Sequence, residues 1–361
     1  MRIVHVVHSL DMGGQERLIL HLTRELYARG HHVAVVSLSP GGTLRSDFGP
    51  IQVHDAPRKD GPDPALSFRL ARLFKRLGAD VVHTHNPSPF FPSVPAARLV
   101  GVKRLVHTKH GANIYGMRSL FTARILVRAL SALVAVSEGT AEVARKKERV
   151  PERLLHVIPN GIPLRDFEPN PTSRARVRKE LGIPEDAYVV GTVGRLAVEK
   201  NYPLLVRAMT PLLGPKVRLV LVGEGAARGE IEASIAPEVR EWVVLTGVKK
   251  DVPALLSSFD VFTLTSKTEG LPLAVPEAMA CELPIVTTAV GGLPNVVTPD
   301  VGLLAPSGDE RALTDAYRLL HDDVMKRKAM ARRARERALD TYSLETMVDA
   351  YEALYRGDPR G

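Results

Sequence analysis

Two glutamates separated by prolines are the first residues whose types and spacing could do chemistry. Glu269 and Glu277 lie in the stretch TEGLPLAVPEAMA, residues 268–280. The glycine and prolines between them predict a loop that leads into a short helix, because proline is tolerated in the first helical turn. The two carboxylates then flank a group of backbone N–H donors, and such a group can bind a charged, hydroxylated ligand.

Two cations lie upstream of these glutamates. Arg195 and Lys200 belong to GTVGRLAVEKNY, residues 191–202, which follows a predicted strand and precedes a predicted helix. Two cations beside free backbone N–H groups can bind a diphosphate at such a place. Taken alone, they could also be solvated surface cations. The downstream glutamates favour the binding interpretation.

Glycines mark further turns that could contact a ligand. Gly13 and Gly14 lie where the first predicted strand passes into a helix. Glycine lets backbone N–H groups approach a ligand and a helix N-terminus favours negative charge, although such a turn can also use glycine for conformation alone. Neither this turn nor GEGAARG, residues 223–229, has the G-x-G-x-x-G spacing of a dinucleotide site, which argues against a nicotinamide enzyme.

Short β-branched runs alternate with longer amphipathic stretches, and these elements must position the candidate residues. The alternation predicts parallel sheets with helical crossovers, whose ligands bind beyond the carboxyl ends of the strands. The proline-rich run 156–177 interrupts it and is interpreted as a linker between two doubly wound domains, at 1–165 and 166–342, followed by a final amphipathic helix at 343–357. The predicted strands are 3–7, 32–38, 81–84, 104–108, 133–136, 188–193, 217–222, 243–246, 261–265 and 285–287.

The bulk composition narrows the class of protein. The chain has 361 residues, a formal charge of +9 and one cysteine, Cys281, which excludes an internal disulfide framework and a cysteine-rich metal site. No apolar stretch reaches the ~18 to 20 residues of a membrane span, and the N-terminal residues are interpreted as a strand rather than a signal peptide, so we expect a cytoplasmic protein. The charge suits phosphorylated small molecules or anionic lipid, whereas nucleic acid would require interleaved basic and aromatic residues.

Two basic segments could contact an anionic membrane. Residues 116–133 alternate Arg118, Arg124 and Arg128 with an apolar face, and residues 323–339 are rich in Lys and Arg. The alternatives are a helix packed on the sheet for the first segment and a solvated helix for the second.

Together these motifs resemble the retaining glycosyltransferases of family 4, which have the two-domain GT-B fold, and the resemblance extends over nearly the whole chain. The E-x7-E signature with R-x4-K upstream is specific. The other matches are the first glycine turn, HTKHG at 107–111, VSE at 136–138, IPNGI at 158–162, VGEG at 222–225 and GGLP at 291–294. The resemblance implies two Rossmann-like domains facing each other across a deep cleft. The first would bind the acceptor and the second the donor, with the final helix crossing back onto the first domain.

The resemblance also implies a role for each candidate residue. Arg195 and Lys200 would bind the diphosphate of a sugar-nucleotide donor, and Glu277 would accept bonds from the ribose hydroxyls. Glu269 would hold the donor sugar, and His110 would project from the first domain towards it as a hydrogen-bond partner. The other donor-binding residues are Gly13 and Gly14 at the phosphates, Gly247 and Val248 near the base, Gly270, Leu271 and Pro272 beside the sugar, and Gly223.

The family's chemistry sets the expected reaction. The anomeric configuration is retained and the departing phosphate takes the acceptor's proton, so fixed cations and N–H donors would stabilise the charge that develops on that phosphate. The sequence has no D-x-D motif for a metal ion, so we expect transfer without metal or cofactor. We expect a UDP-sugar donor, or next a GDP-sugar, and an acceptor hydroxyl on a glycan, a lipid-linked or a small molecule. A nucleotide-sugar 2-epimerase of the same fold and a non-catalytic nucleotide-sugar binding protein are the alternatives.

Three positions depart from the family's pattern. Asn201, Asn295 and Pro163 stand where Gly, an acidic residue and Asp are common. None of them removes a predicted diphosphate or ribose contact. The change at Asn201 is expected to alter the turn after Lys200.

Overall fold

The chain forms two compact units. The structure is a computed structural model and describes residues 1–59, 61, 63–111 and 116–358, without the side chains of Met117 and Arg118. The first unit contains Met1–Ile162 together with the C-terminal segment from Leu344, and the second contains Pro163–Ser343. The division after residue 162 lies three residues before the boundary placed from the sequence.

The first unit is built on a seven-stranded sheet with the order β3-β2-β1-β4-β5-β6-β7, in which all pairs are parallel. Its strands are β1 (Arg2–Val7), β2 (His32–Ser37), β3 (Gln52–Asp55), β4 (Val81–His85), β5 (Arg104–Lys109), β6 (Ala132–Ala135) and β7 (Leu155–Val157). Its helices are α1 (Gly14–Ala28), α2 (Ala65–Leu77), α3 (Pro87–Leu99), α4 (Met117–Leu126), α5 (Glu138–Val143) and, from the end of the chain, α14 (Leu344–Arg356).

Near-continuous Val, Ile and Leu runs form these strands because helices cover the sheet, so strand side chains are buried on both faces. All residues of β4 and all but the first of β1 are buried. Helix α2 presents Leu70, Leu73 and Phe74 to this core. It ends at Gly78, which takes the left-handed conformation (φ 60°) that a glycine C-cap provides.

Helix α14 completes the first unit with residues from the far end of the chain. Its Tyr351 and Tyr355 are buried, and both hydroxyls bond to strand residues of the sheet. Glu352 of the same helix accepts a hydrogen bond from Arg29 of the segment after α1 at 3.0 Å. The amphipathic stripe predicted over 343–357 therefore packs into the first unit.

The second unit has a six-stranded parallel sheet with the order β10-β9-β8-β11-β12-β13. Its strands are β8 (Tyr188–Val193), β9 (Val217–Val222), β10 (Val243–Leu245), β11 (Val261–Leu264), β12 (Ile285–Thr288) and β13 (Gly302–Ala305). Its helices are α6 (Pro171–Glu180), α7 (Tyr202–Met209), α8 (Arg228–Ala233), α9 (Val252–Ser257), α10 (Ala274–Ala280), α11 (Leu293–Val296), α12 (Glu310–Asp322) and α13 (Val324–Thr341).

A buried guanidinium ties the edge of the second unit together. The side chain of Arg178 on α6 is 1% exposed and pairs with Asp260 at 2.8 Å. It also donates to the main-chain carbonyls of Ser258, Glu185 and Ala187. Because these acceptors precede β8 and β11, one side chain fixes where both strands begin.

The structure corrects the interpretation of residues 156–177 as a plain linker. This run contains the end of β7 and the start of α6, which begins at Pro171 because Asn170 caps it and proline suits the first helical position. The strands β3 and β13 and the helices α3 and α12 were also missed. Helix α3 tolerates Pro92 and Pro95 because its buried side chains pack against the sheet and α2.

The basic helix α13 is only partly the solvated helix expected from its charge. Arg327 donates to Leu320 and lies over the ring of Tyr188. Arg335 and Arg337 donate to carbonyls of Ala280 and Val296. Across the described part of the chain, no helix combines the length and the apolar character needed to cross a bilayer.

Both sheets place their first strand beside their fourth. In the first unit β1 pairs with β4, and in the second β8 pairs with β11. In each sheet, the second and third strands lie on one side of this pair, and the strands after the fourth lie on the other side. Loops from adjacent strands therefore separate there and leave a crevice beyond the carboxyl ends, which is where ligands of doubly wound sheets bind.

Candidate active site

The crevice of the second unit contains Lys200 and Glu269. Lys200 follows β8 and Glu269 follows β11, so the pairing of these two parallel strands brings their carboxyl-end loops together. Lys200 Nζ lies 2.6 Å from Glu269 Oε1, and the two side chains are 19% and 9% exposed. The structure thus joins two of the residues singled out by the sequence into one half-buried ion pair.

Short hydrogen bonds hold this pair in place. Ser266 Oγ donates to the same Oε1 of Glu269 at 2.6 Å, and Thr288 Oγ1 donates to the Ser266 carbonyl at 2.6 Å. On the other loop, Thr265 Oγ1 donates to the carbonyls of Lys200 and Asn201. A cation supported in this way is positioned before any ligand arrives, which is the condition for electrostatic stabilisation of a developing charge.

Asn201 shows how the first departure from the family's pattern is accommodated. It takes a left-handed conformation with φ 52° between Lys200 and α7. Asparagine is among the few residues other than glycine that adopt this conformation routinely. The turn after Lys200 therefore keeps a conformation that glycine would also provide.

Arg195 is placed differently from Lys200. Its side chain is 70% exposed and pairs with Glu199, four residues further along the chain, at 2.6 Å. An exposed pair of this kind contributes only about 0 to 1 kcal/mol, so the guanidinium can exchange this partner for a ligand at small cost. Its predicted diphosphate contact stays a prediction.

Glycines bring the loops around the pair into backbone contact. A Cβ on Gly223 would lie 1.9 Å from the Gly194 carbonyl oxygen, and one on Gly291 would lie 1.8 Å from that of Glu269. Gly223 also donates its N–H to the Gly247 carbonyl at 3.0 Å. Side chains at these positions would force the loops apart, so the glycines are required for close approach as well as for conformation.

The E-x7-E segment forms a loop and a short helix, as its prolines predict. Gly270 accepts a hydrogen bond from Gly292, and Pro272 accepts one from Val275 at the start of α10. Glu277 lies in the first turn of α10 and is 2% exposed. The two glutamates are therefore on separate elements and do not form a pair on one helix.

Three further predicted donor residues occupy contrasting positions. Leu271 is buried, whereas Val248, after β10, is 64% exposed. Pro272 lies between Leu271 and the start of α10 and is half-buried. Their predicted contacts with base and sugar stay predictions.

The first unit has its own crevice, between β1 and β4, where the first glycine turn lies. Gly13 is the N-cap of α1, and a Cβ there would meet the carboxylate of Glu16 at 2.3 Å. A Cβ on Gly14 would meet nothing within 4 Å, so the helix start is open on that side. The backbone N–H groups of this turn can be approached closely, which agrees with the predicted phosphate contact without testing it.

His110 follows β5, the strand next to β4. Its main-chain N–H donates to Asn86 Oδ1 at 3.0 Å, and its Nε2 lies 3.0 Å from Nδ1 of His85. Its Nδ1 is buried and has no hydrogen-bond partner among the residues that the structure describes. Burial lowers the pKa of His110 to about 3, so the ring is neutral at ordinary pH.

Sequence reasoning missed the polar residues that surround His110. Asn86, with φ 64°, holds the His110 backbone, and His85, His83 and His5 line the same face of the sheet. The signal was present in the strands IVHVV, VVHTH and RLVHTK, which carry histidine inside otherwise apolar runs. A buried polar group needs a partner, so histidines in adjacent buried strands indicate a network.

Comparison with known proteins agrees with this geometry. The model of the family described as "Glycosyl transferases group 1" matches residues 173–337, and that of "Glycosyltransferase Family 4" matches residues 12–166. The chain is 30% identical to D-inositol 3-phosphate glycosyltransferase of Xylanimonas cellulosilytica, over 97% of this chain and 94% of that protein. It is 28% identical to the UDP-Gal:alpha-D-GlcNAc-diphosphoundecaprenol alpha-1,3-galactosyltransferase of Escherichia coli, over 79% and 77%.

Solved structures have the same fold. The Anabaena protein Alr3699/HepE, in complex with UDP, superposes with a TM-score of 0.86 at 21% identity, covering 98% of each chain. Two Rossmann-like parallel-sheet units of this kind define the GT-B class of sugar-transferring enzymes. The chain belongs to family 4 of the glycosyltransferases, as the whole-length match at 30% identity and the two family models show.

Proposed function

We propose that this enzyme is a retaining, metal-independent glycosyltransferase that uses a nucleoside-diphosphate sugar as donor. A UDP-sugar is the favoured donor and a GDP-sugar the next. The acceptor is a hydroxyl group on a glycan, a lipid-linked molecule or a small molecule. Relatives with UDP-Gal and with GDP-mannose in their names support both donor types.

The single observation that carries the proposal is the position of Lys200. Its ammonium lies in the crevice of the second unit, 2.6 Å from Glu269 and supported by bonds on both loops. A diphosphate in this crevice gains negative charge as its bond to the sugar breaks. A cation already fixed there stabilises the transition state more than the ground state, which accelerates the reaction.

Glu269 has two functions in this proposal. Its Oε1 orients Lys200, and the carboxylate, in the loop after β11, accepts hydrogen bonds from hydroxyls of the donor sugar. Glu277, in the first turn of α10, accepts bonds from the ribose hydroxyls. Gly13 and Gly14, at the start of α1, contribute N–H donors to the phosphates. These assignments come from the match to the family's motifs.

Retention and metal independence rest on two separate arguments. The leaving phosphate itself takes the proton of the acceptor hydroxyl, so the new bond forms on the face that the phosphate leaves. The cations Lys200 and Arg195 supply the charge that a metal ion would otherwise supply, and the sequence lacks the D-x-D motif that would bind one.

A nucleotide-sugar 2-epimerase of the same fold is the second candidate. It would need an acid and a base around the sugar ring to invert one carbon. In the crevice of the second unit, the carboxylate of Glu269 is engaged by Lys200 and Ser266. This arrangement favours transfer.

The test is release of nucleoside diphosphate from UDP-glucose, UDP-galactose, UDP-N-acetylglucosamine and GDP-mannose, in buffer with EDTA. We expect slow release from one of these donors without an acceptor. Lys200→Ala should lower that rate by about 10² to 10³-fold, the usual effect of removing one donor to a developing oxyanion. Lys267→Ala is the matched control, because Lys267 is an exposed lysine of the neighbouring loop, and its rate should stay within about twofold.

Each part of the proposal has an outcome that would contradict it. Wild-type rates in Lys200→Ala would refute the diphosphate assignment. Release that requires added Mg²⁺ would refute metal independence, and a β-linked product from an α-linked donor would refute retention. An epimerised sugar without release of nucleoside diphosphate would identify the epimerase instead.

We also propose peripheral contact with an anionic membrane through α4. Phe121 and Ile125 lie one turn apart on this helix and are 66% and 50% exposed, with Arg128 exposed beyond them. Of the other two cations of the predicted face, Arg124 is half-buried and donates to the Lys147 carbonyl, and the side chain of Arg118 lies outside the described residues. Exposed apolar residues beside cations are typical of helices that lie in a lipid headgroup layer.

Liposome sedimentation at low salt tests this contact. The wild-type protein should pellet with anionic and not with neutral vesicles, and Phe121→Ser should reduce pelleting. Phe68→Ser is the matched control, because Phe68 is 63% exposed on α2 of the same unit. Equal recovery from both kinds of vesicle, or equal effects of the two substitutions, would contradict the proposal.

A further inference from the structure

Four histidines of the first unit share one face of its sheet. His5 on β1 is the register partner of His83 on β4, and His85 lies two residues further along that strand. Side chains two residues apart in a strand point to the same face. Thr108 is the register partner of His85, and His110 lies two residues beyond Thr108. His5, His85 and His110 therefore lie on one face of three adjacent strands or the segments that follow them.

The three imidazoles are hydrogen-bonded in series. His5 Nδ1 lies 3.0 Å from His85 Nε2, and His85 Nδ1 lies 3.0 Å from His110 Nε2. Both distances are in the range of a hydrogen bond. His5 Nε2 and His110 Nδ1, the two ends of the series, are buried and have no partner in the described part of the chain. We call His5, His85 and His110 the imidazole relay.

A metal site is the other arrangement that clustered histidines can form. Within the described residues, one nitrogen each from His5, His83 and His85 lie within 4.8 Å of one another. Both nitrogens of His83 are hydrogen-bonded, to Tyr355 Oη and Thr108 Oγ1 at 2.7 Å. Both nitrogens of His85 are used in the relay, so a metal ion would have to break bonds that already satisfy these rings.

We propose that the imidazole relay sets the tautomers of its three rings together, so that His5 and His85 are positioning residues that determine whether His110 offers a donor or an acceptor at Nδ1. Neutral rings are required, because a neutral imidazole has one N–H and one lone pair. Burial lowers the pKa of His5 and His110 to about 3 and that of His85 well below its ordinary value, which keeps all three neutral.

Only two tautomer arrangements satisfy both internal bonds. In the first, every ring carries its proton on Nδ1, so His5 donates to His85, His85 donates to His110, and His110 presents a free N–H. In the second, every ring carries its proton on Nε2, the bonds run the other way, and His110 presents a lone pair. A mixed arrangement would oppose two N–H groups or two lone pairs across a 3.0 Å gap.

The environments of the two ends favour the first arrangement. His5 is 0% exposed, and in the second arrangement its Nε2–H would be buried without an acceptor. Orphaned buried N–H groups are rarer than orphaned acceptors, because their desolvation is not compensated. Both end nitrogens are buried, but His110 is the more exposed residue and follows the end of β5, so a ligand bound beyond that strand can reach its Nδ1–H more readily than any group can reach His5 Nε2.

His110 therefore offers an N–H donor from Nδ1 to an oxygen of its ligand. Under the proposed function, this oxygen belongs to the donor sugar, so the kinetic consequence rests on that proposal. The tautomer itself does not, because it follows from the two bonds of the relay together with the burial of His5 at its far end. The relay makes His5, which lies two rings away from His110, relevant to the reaction.

Nitrogen NMR of the full-length chain with ¹⁵N-labelled histidine tests the tautomers. Long-range ¹H–¹⁵N correlations distinguish a protonated from an unprotonated ring nitrogen. We expect Nδ1–H tautomers for His5, His85 and His110. His5→Phe removes the far end of the relay and should shift His110 to a mixture that contains Nε2–H. His5→Asn keeps a donor at the position of Nδ1 and should restore the wild-type pattern.

His107→Phe is the matched control. His107 is 1% exposed and lies on the opposite face of the sheet, where it bonds Thr84 Oγ1 and packs on Phe90. Its substitution removes one buried imidazole without touching the relay. In the donor-release assay, we expect His5→Phe to lower kcat/KM by about tenfold, the size of one lost hydrogen bond, with recovery in His5→Asn and no change in His107→Phe.

Four results would overturn the relay. They are an Nε2–H tautomer of His110 in the wild type, an unchanged His110 signal in His5→Phe, equal rate losses in His5→Phe and His107→Phe, and stoichiometric zinc in the purified protein that is lost in His5→Phe. If the wild-type chain turns over none of the donors, the proposed function fails, whereas the NMR result still decides the relay.

Discussion

The two units share one topology and differ in what lies at the crevice beyond their first and fourth strands. In the second unit an ion pair, Lys200 with Glu269, is held there by hydroxyl groups. In the first unit the corresponding place is lined by neutral imidazoles that bond to one another and, through His83, to Tyr355 of α14. The same fold therefore supports two kinds of polar chemistry, one charged and one neutral.

The difference teaches that burial determines which kind a crevice can hold. Lys200 and Glu269 keep some contact with solvent, so their charges remain partly hydrated and can exchange each other for a ligand. The imidazoles of His5, His83 and His85 in the first unit are deeper, and their burial disfavours the charged form. The comparison predicts that acid, mutation and ligand will affect the two units unequally.

Acid should produce the largest difference in stability between the two units. Burial holds the pKa of five histidines of the first unit below the value of 6.5 that each has when unfolded; they are His5, His83, His85, His107 and His110. Below pH 6.5 the unfolded chain binds more protons than the folded one, so the unfolding free energy falls as pH falls. At pH 5.5 each ring lowers the unfolding free energy by about 1.4 kcal/mol. The five rings together lower it by about 7 kcal/mol, which is comparable with the stability of a domain.

The single Trp242 makes this prediction measurable, because it belongs to the second unit. Far-UV circular dichroism follows both units, whereas tryptophan fluorescence follows only the second. Between pH 6.5 and 5, we expect the dichroism to change before the fluorescence does. Superimposed acid transitions would contradict the assignment of acid sensitivity to the imidazoles of the first unit.

Removing the buried cation of the second unit should have the next largest effect. Arg178→Leu leaves Asp260 and several carbonyls without their donor. The expected loss of unfolding free energy is about 3 to 5 kcal/mol. Urea unfolding followed by Trp242 fluorescence measures it. Arg176→Leu, on the same helix but with a half-exposed side chain, is the control and should change stability by less than about 1 kcal/mol.

Replacing Gly291 with alanine should disrupt the crevice of the second unit more than the same replacement at Gly308. Gly291 and Gly308 both have positive φ, 56° and 86°, so alanine at either costs about 1 to 2 kcal/mol of backbone strain. At Gly291 the Cβ would also meet the Glu269 carbonyl at 1.8 Å, whereas at Gly308 it would meet nothing within 4 Å. Gly291→Ala should have a lower melting temperature and a higher KM for the donor than Gly308→Ala. Equal values for the two variants would argue against the backbone contact.

The smallest of these effects should distinguish the ion pair Lys200–Glu269 from the ion pair Arg195–Glu199. Glu269→Gln removes the charge that orients Lys200 in a half-buried setting, and we expect about a tenfold loss in kcat/KM. Glu199→Gln removes the exposed partner of Arg195 and should change kcat/KM by less than about twofold. Similar losses in both variants would mean that Lys200 needs no positioning by Glu269.

Much of the second unit could be predicted from its sequence. The β-branched runs at 188–193 and 217–222 correspond to β8 and β9 without a shift, because both are mainly apolar and have clear boundaries. The meeting of Lys200 and Glu269 follows from the order of strands in a doubly wound sheet. Their direct ion pair did not follow, because spacing alone does not specify which side chains bond.

The missed features have physical causes of two kinds. β3 has the polar sequence QVHD at the edge of a sheet and lacks the periodicity of a buried strand, and α3 contains several prolines that local preference excludes from helices. Tertiary burial overrides local preference in α3. The relay was missed for a different reason, since the register of β1, β4 and β5 brings its histidines together and register is not visible in one sequence.

The return of α14 to the first unit has a consequence for the order of synthesis. The 181 residues of Pro163–Ser343 separate the body of the first unit from its last helix. Their translation takes roughly 10 to 35 s at about 5 to 20 residues per second. Until then His83 and Thr108 lack the hydrogen bonds that they later form with Tyr355 and Tyr351. The second unit can fold meanwhile, as if it were an insertion in the first. A stop codon just before Leu344 would release a chain whose second unit is finished and whose first is still open.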